Sequence, residues 1–306
     1  MLWAICCYFN PMAYQTKKIN YATFREHLST PLLTIELAYH QCELTATDAD
    51  HLIQIRGADV LWQKERLLNI ALQALPPECT AVAWLDTDII FEQSDWHEQT
   101  LSALETCVFV QPFEQMCQQA QGQSLTQLHR LIPECCSVAS AFCHNQLASD
   151  YFSAPAGSFH SGVTPGVAWA GRRDLLDQLS FYDAMIVGGG DRAMFNAMCG
   201  QIEPFVQMYG LSPTHAAHYR AWAAPFYQQV QGRVGYVTGR LYHLWHGQKS
   251  DRQYQKRREI LPAFGFDPLR DIQHAPGEAW CWSSNKPTLH AAVANYFNTR
   301  LEDGLG

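Results

Sequence analysis
The stretch VAWLDTDIIF, residues 82–91, constrains this chain more than any other. An apolar run of that length reads as a buried strand, and a buried strand has no place for unpaired charge. Asp86 and Asp88 nevertheless stand inside it. Successive odd or even residues of a strand share one side, so at a strand end both carboxylates can reach one cation or one polyol. For a lone Asp-X-Asp the plainer reading is a strand end and a capped turn. The apolar flanks weigh against that reading and require a positive partner opposite the pair.

The surrounding pattern alternates strands with helices. Residues 2–9, 32–38 and 52–56 read as strands and 21–28 as a helix. The segment ADVLWQKERLLNIALQALPPE, residues 58–78, places Leu61, Leu68, Leu72 and Leu75 on one helical stripe that ends at Pro76-Pro77. That helix feeds directly into VAWLDTDIIF, an apolar strand whose carboxyl end carries Asp86 and Asp88. Ser94 is the expected N-cap of a helix through Leu104, residues 106–113 read as strand, and the glutamine-rich 115–127 as loop with partial helix. Further helices are expected around 215–229 and from about Pro287, the latter packing on the sheet. Such alternation predicts an α/β layer fold with a mostly parallel mixed sheet flanked by helices, and ligands at the carboxyl ends of its strands. No repeat or linker divides the chain, so one domain over 1–306 is expected, with a nucleotide-binding half (1–112) and an elaborated half (113–306).

Composition narrows the class of partner. With 306 residues, 47% hydrophobic and 16% charged, the chain is far from a disordered composition. A formal charge of -8 without a Lys/Arg block argues against nucleic acid and for small-molecule partners. Eleven cysteines, none in a CxxC spacing, fit reduced thiols and a cytoplasmic location better than a disulfide scaffold or zinc ribbon. No stretch has the length of a transmembrane span, and MLWAICCYFN reads as a buried first strand.

Two later segments can complete a site with the aspartates. His243 and His246, in HLWHG, are three residues apart, and carboxylate plus imidazole around an open position suits Mn²⁺, with Mg²⁺ also acceptable and zinc less so. The plainer alternative is an aromatic core turn with satisfied histidines. Lys249 and Arg252 follow; Lys256, Arg257 and Arg258 read as a solvated helix face. Gly188-Gly189-Gly190-Asp191 opens a helix, where Asp191 can be an N-cap or a general base. No GxxxxGK[ST], strand-following GxGxxG or GxSxG occurs, which removes the usual phosphate cradles and the hydrolase elbow.

Taken in order, VAWLDTDIIF, GVAWAGRRDLL, VGGGDRAMF and HLWHG resemble the nucleotide-diphosphosugar glycosyltransferases of GT-A type, in particular the beta-galactosyltransferase and polypeptide N-acetylgalactosaminyltransferase kind. The resemblance covers residues 1 to about 260. It implies transfer of a sugar from a nucleotide diphosphate, UDP-linked, to an acceptor hydroxyl on a glycan, a lipid-linked or another small molecule. It places Asp86, Asp88, His243 and His246 at a cation, with Asp86 also touching the donor. It also implies Asp191 as catalytic base; Phe9, Asn10, Arg56, Lys64 and Lys249 at the nucleotide and its phosphates; and Trp169, Gly189 and Gly190 at the sugar. Arg192 stands where the family has a further acid. Two other readings stay open: a metal-dependent sugar nucleotidyltransferase or phosphohydrolase, and a non-catalytic sugar-nucleotide or glycan-binding module.

Overall fold
The computed structural model describes residues 1–153, 162–275 and 277–304. Strands β1 (Leu2–Phe9), β2 (Leu32–Ala38), β3 (His51–Arg56), β4 (Ala81–Leu85), β5 (Ile89–Phe91) and β6 (Phe109–Gln111) come from the first part of the chain. They are followed by β7 (Gln115–Gln118), β8 (Cys135–Ser137), β9 (Val163–Thr164), β10 (Ala168–Arg172), β11 (Val234–Tyr236) and β12 (Arg240–His243). Seven of these form one sheet in the order β11-β6-β10-β4-β1-β2-β3. Six run parallel and β10 alone opposes them. The expected α/β class and mostly parallel sheet are thus present.

Alternation along the strands explains why both faces of this sheet are covered. Ile5 and Phe9 of β1, with Val82 and Trp84 of β4, enter a core built with the helix Lys64–Ala74 and the later helices. Leu2, Ala4, Cys6 and Tyr8, with Ala81, Ala83 and Leu85, enter a second core closed by the helix Gln15–Glu26. Strands apolar on both sides are what a parallel sheet between helix layers requires. Because β1 has β2 on one side and β4 on the other, successive connections leave in opposite directions there. A crevice opens at the carboxyl ends of these two strands, after Phe9 and after Leu85.

The second sheet, β5-β12-β7-β8-β9, stands at that crevice. As expected, the strand ends where the carboxylates begin, and the structure adds that the residues after them form a strand of the other sheet. The chain leaves β4 at Leu85 and enters β5 at Ile89, so Asp86-Thr87-Asp88 is the crossing between two sheets. Each side of the crossing is fastened separately: the Asp86 N–H donates to the Val167 carbonyl at 2.8 Å, and the Leu244 N–H donates to the Asp88 carbonyl at 2.7 Å. The glutamine-rich segment, expected as loop with partial helix, supplies β7, which β12 and β8 hold on either side, and ends in a 3₁₀ turn over Leu125–Arg130. A four-residue strand is too short to show a period. Ser94 is not a cap either; Asp95 precedes the helix Trp96–Ala103, without a side-chain capping bond. None of the eleven cysteines forms a disulfide. Among the described residues no helix is long and apolar enough to cross a membrane.

Candidate active site
The crevice holds a cavity of about 380 Å³ lined by the Asp86–Asp88 crossing, the ends of the second sheet, the glycine turn and the C-terminal segment. Its first centre is an ion-paired triad. The Lys64 Nζ lies 2.6 Å from Asp86 Oδ1 and 3.0 Å from Asp191 Oδ2. Lys64 opens the helix Lys64–Ala74, whose first turn buries Lys64, Glu65 and Arg66 together. Burial alone would lower the Lys64 pKa, but the charges of Asp191 and Asp86 outweigh it and hold the ammonium well above its ordinary value. This is the positive partner that two carboxylates beside a core require. Burial pushes the Asp191 carboxyl up, with Lys64 opposing.

Glu65 is packed against the same turn. A Cβ on Gly190 would fall 2.1 Å from Glu65 Oε1, so any larger residue at the start of the helix Gly190–Met198 would have to displace the Glu65 side chain. Burial, and then the charge of Asp191, push the Glu65 carboxyl up to about 8. Gly189, at φ +110°, takes the N-cap position beside the Tyr209 ring. Asp191 is therefore not the cap; it lies inside the first turn, free to point into the cavity against Lys64.

The second centre is Asp88, His243 and His246, whose ligating atoms all lie within 4.8 Å of one another. Pairing of Ile89 with His243 across β5 and β12 sets Asp88 beside the imidazoles. The His246 Nε2 is 3.0 Å from Asp88 Oδ2 and the His243 Nε2 is 3.6 Å from Asp88 Oδ1. The Gln118 carbonyl oxygen lies 3.0 Å from His243 Nδ1, and as an acceptor it places the ring proton there and leaves the Nε2 lone pair facing Asp88. Burial, with Arg252 next in weight, holds both histidines well below the ordinary imidazole value, in the neutral, ligating form. Burial and then Asp86 push Asp88 up to about 7. Asp88 Oδ1 and His246 Nε2 are buried without a hydrogen-bond partner. Buried acceptors converging without donors fit a divalent cation between them.

The other expected residues divide. Phe9 lines the cavity, with its ring 5.6 Å from Trp62 and its carbonyl accepting from Lys17 Nζ. Lys249 lines it too and pairs with Glu134. Asn10 faces a separate hollow and is spent on Tyr14 and Glu43. Arg56, exposed at the end of edge strand β3 and next to Cys42, lies away from the cavity. Trp169 is fully buried, donates from Nε1 to the Pro165 carbonyl at 2.7 Å and packs on Phe195; it is a core residue and no sugar platform. Asp86 is held by Lys64 rather than by the histidines.

Several cavity residues went unread in the sequence. Arg257 and Arg258 turn toward the cavity instead of forming a solvated face, while Lys256 before them is exposed. The expected C-terminal helix is present as Pro287–Asn298, but beyond it the chain packs on the site: Arg300 and Glu302 are buried in the cavity wall and ion-paired at 2.5 Å. Tyr296, whose hydroxyl accepts from both Arg257 and Arg300, was the available signal.

No family model matches the chain, and no curated protein matches its sequence. Among solved structures it is similar to S. aureus TarS residues 1–349, with 11% identity over 98% of this chain and 71% of that one at a TM-score of 0.39. The same S. aureus protein in complex with UDP-GlcNAc gives 9% identity, 98% and 72% coverage and a TM-score of 0.39. A 4-diphosphocytidyl-2C-methyl-D-erythritol synthase from Anaerococcus prevotii is similar at 11% identity, 78% and 89% coverage and a TM-score of 0.31. With superpositions this loose, the fold description rests on the strand order itself.

Proposed function
We propose that this protein is a cation-dependent glycosyltransferase of GT-A type that moves a sugar from a nucleotide-diphosphate sugar, UDP-linked, to an acceptor hydroxyl. One observation carries the reading: Asp88, His243 and His246 converge with two orphaned buried atoms at the switch point of a parallel sheet, in a cavity rich in lysine and arginine. Asp88, His243 and His246 would hold the cation, Mn²⁺ by the preference of mixed nitrogen and oxygen donors. When bound, it supplies Lewis-acid neutralisation of the leaving diphosphate. Lys249 and Arg252, both lining the cavity near the histidines, bind and orient the donor phosphates. Phe9, at the end of β1, borders the nucleotide.

Asp191 faces the acceptor hydroxyl and takes its proton as the new glycosidic bond forms. Lys64 fixes the Asp191 carboxylate in place and opposes the upward push of burial on it, while Asp86 anchors Lys64 from the other side. The glycine turn permits close approach of donor or acceptor.

The test pairs binding with product analysis. A thermal-shift panel of nucleotide sugars with and without Mn²⁺ should show stabilisation by one donor that needs the ion. Asp88→Ala should lose that Mn²⁺-dependent stabilisation while keeping the wild-type circular dichroism; retained Mn²⁺-dependent binding would sink the reading. Turnover should release nucleoside diphosphate. Release of inorganic diphosphate would instead mark a nucleotidyltransferase.

A further inference from the structure
The cavity carries more positive charge than a cation-bound donor can use. Eight lysines and arginines line it against six carboxylates, in a chain whose formal charge is -8. A divalent cation and a nucleotide diphosphate offset one another, so loading the donor leaves that excess standing. The excess is also placed unevenly. Arg252 and Lys17 are the cations that bear on Asp88, whereas Arg257 is the arginine that bears on Asp191.

Around the glycine turn three guanidinium groups gather. Arg257 Nη1 lies 3.1 Å from where a Cβ on Gly188 would stand, and it donates a hydrogen bond at 2.5 Å to the Tyr296 hydroxyl oxygen. Arg192, buried in the turn after Asp191, donates to the Tyr151 carbonyl and to Asn196 Oδ1 and stacks 3.7 Å over the Tyr151 ring. Arg258 lies 4.8 Å over the Tyr209 ring, which itself rests on Gly189. Neither Arg192 nor Arg257 forms an ion pair with a carboxylate among the described residues. Guanidinium groups set in a cavity wall against hydroxyl, carbonyl and aromatic groups are suited to receive an oxyanion. The helix Gly190–Met198 begins at the same turn, with no side-chain cap at its amino end.

We propose that Arg192, Arg257 and Arg258 form an oxyanion site beside Asp191, separate from the donor diphosphate, and that the acceptor hydroxyl belongs to a phosphorylated or carboxylated molecule. The site stands on its own geometry; its assignment to the acceptor rests on the transferase reading. The decisive measurement titrates inorganic phosphate into protein saturated with UDP and Mn²⁺, by calorimetry, with acetate and a neutral polyol as parallel probes. Phosphate should bind without displacing UDP, and Arg257→Gln and Arg258→Gln should each weaken it about tenfold or more while Lys256→Gln, an equal loss of charge on the exposed face, leaves it unchanged. Acetate binding with the same variant pattern identifies a carboxylate acceptor, and phosphate alone a phosphorylated one; both support the site. Absence of both, indifference to the arginine variants, or competition with UDP overturns it. If UDP with Mn²⁺ does not bind at all, the transferase reading fails, and the same titration of the nucleotide-free protein still decides the oxyanion site.

Discussion

Gln118 decides what kind of group His243 is. By accepting from Nδ1 it leaves Nε2 as a bare lone pair beside Asp88, and nothing else in the site fixes that tautomer. Gln118→Ala should therefore cut Mn²⁺ affinity by about 10- to 100-fold with little loss of stability, read by calorimetric titration with the metal. Glu65 carries a pH signature. Its folded carboxyl is raised to about 8, against roughly 4.3 in an unfolded chain, so between those values the native state holds a proton that the unfolded chain has released. Stability contributed by this group falls as pH rises through that window and is lowest above it. Glu65→Gln should lack the slope, gaining on wild type by a few kcal/mol between pH 5 and 8.5, at about 1.4 kcal/mol per pKa unit, in urea midpoints measured at the two pH values.

At the scale of elements, the site depends on how short pieces are pinned. Gly247 follows His246 at φ +83°, and a Cβ there would meet the Leu301 carbonyl at 2.7 Å. Gly247→Ala should destabilise the protein by about 2 kcal/mol and weaken Mn²⁺ binding as His246 is displaced, seen together in thermal unfolding with and without the metal. The sequence made the long elements plain: β1 and β2 fall where apolar runs put them, and Leu68 and Leu72 are buried as their spacing requires. The HLWHG histidines and Asp88 were legible because few core patterns place those groups together. What was not legible depends on long-range pairing. Strands of two to four residues such as β7 exist only because neighbours hold them, and the apolar residues after Asp88 gave no sign that they pair in a second sheet. Arg257 looked like surface because its tyrosine partner Tyr296 lies 39 residues away.

For the whole molecule, the parallel sheet sets where the cavity opens, and the second sheet and C-terminal segment set what it can hold. Two ion-rich centres share it, Lys64 with its two aspartates on the large sheet and Asp88 with its histidines on the small one. The only covalent link between them at this point is Thr87. A peptide that short transmits displacement: what grips Asp88 must reset the position of Asp86, and through Lys64 the orientation of Asp191. The centres should then be thermodynamically coupled. In a double-mutant cycle on Asp88→Ala and Lys64→Met, scored by unfolding in saturating Mn²⁺, the interaction energy should exceed about 0.5 kcal/mol, the level expected of independent sites. Loading of the donor side would in this way be felt, mechanically, by the residue that waits for the acceptor.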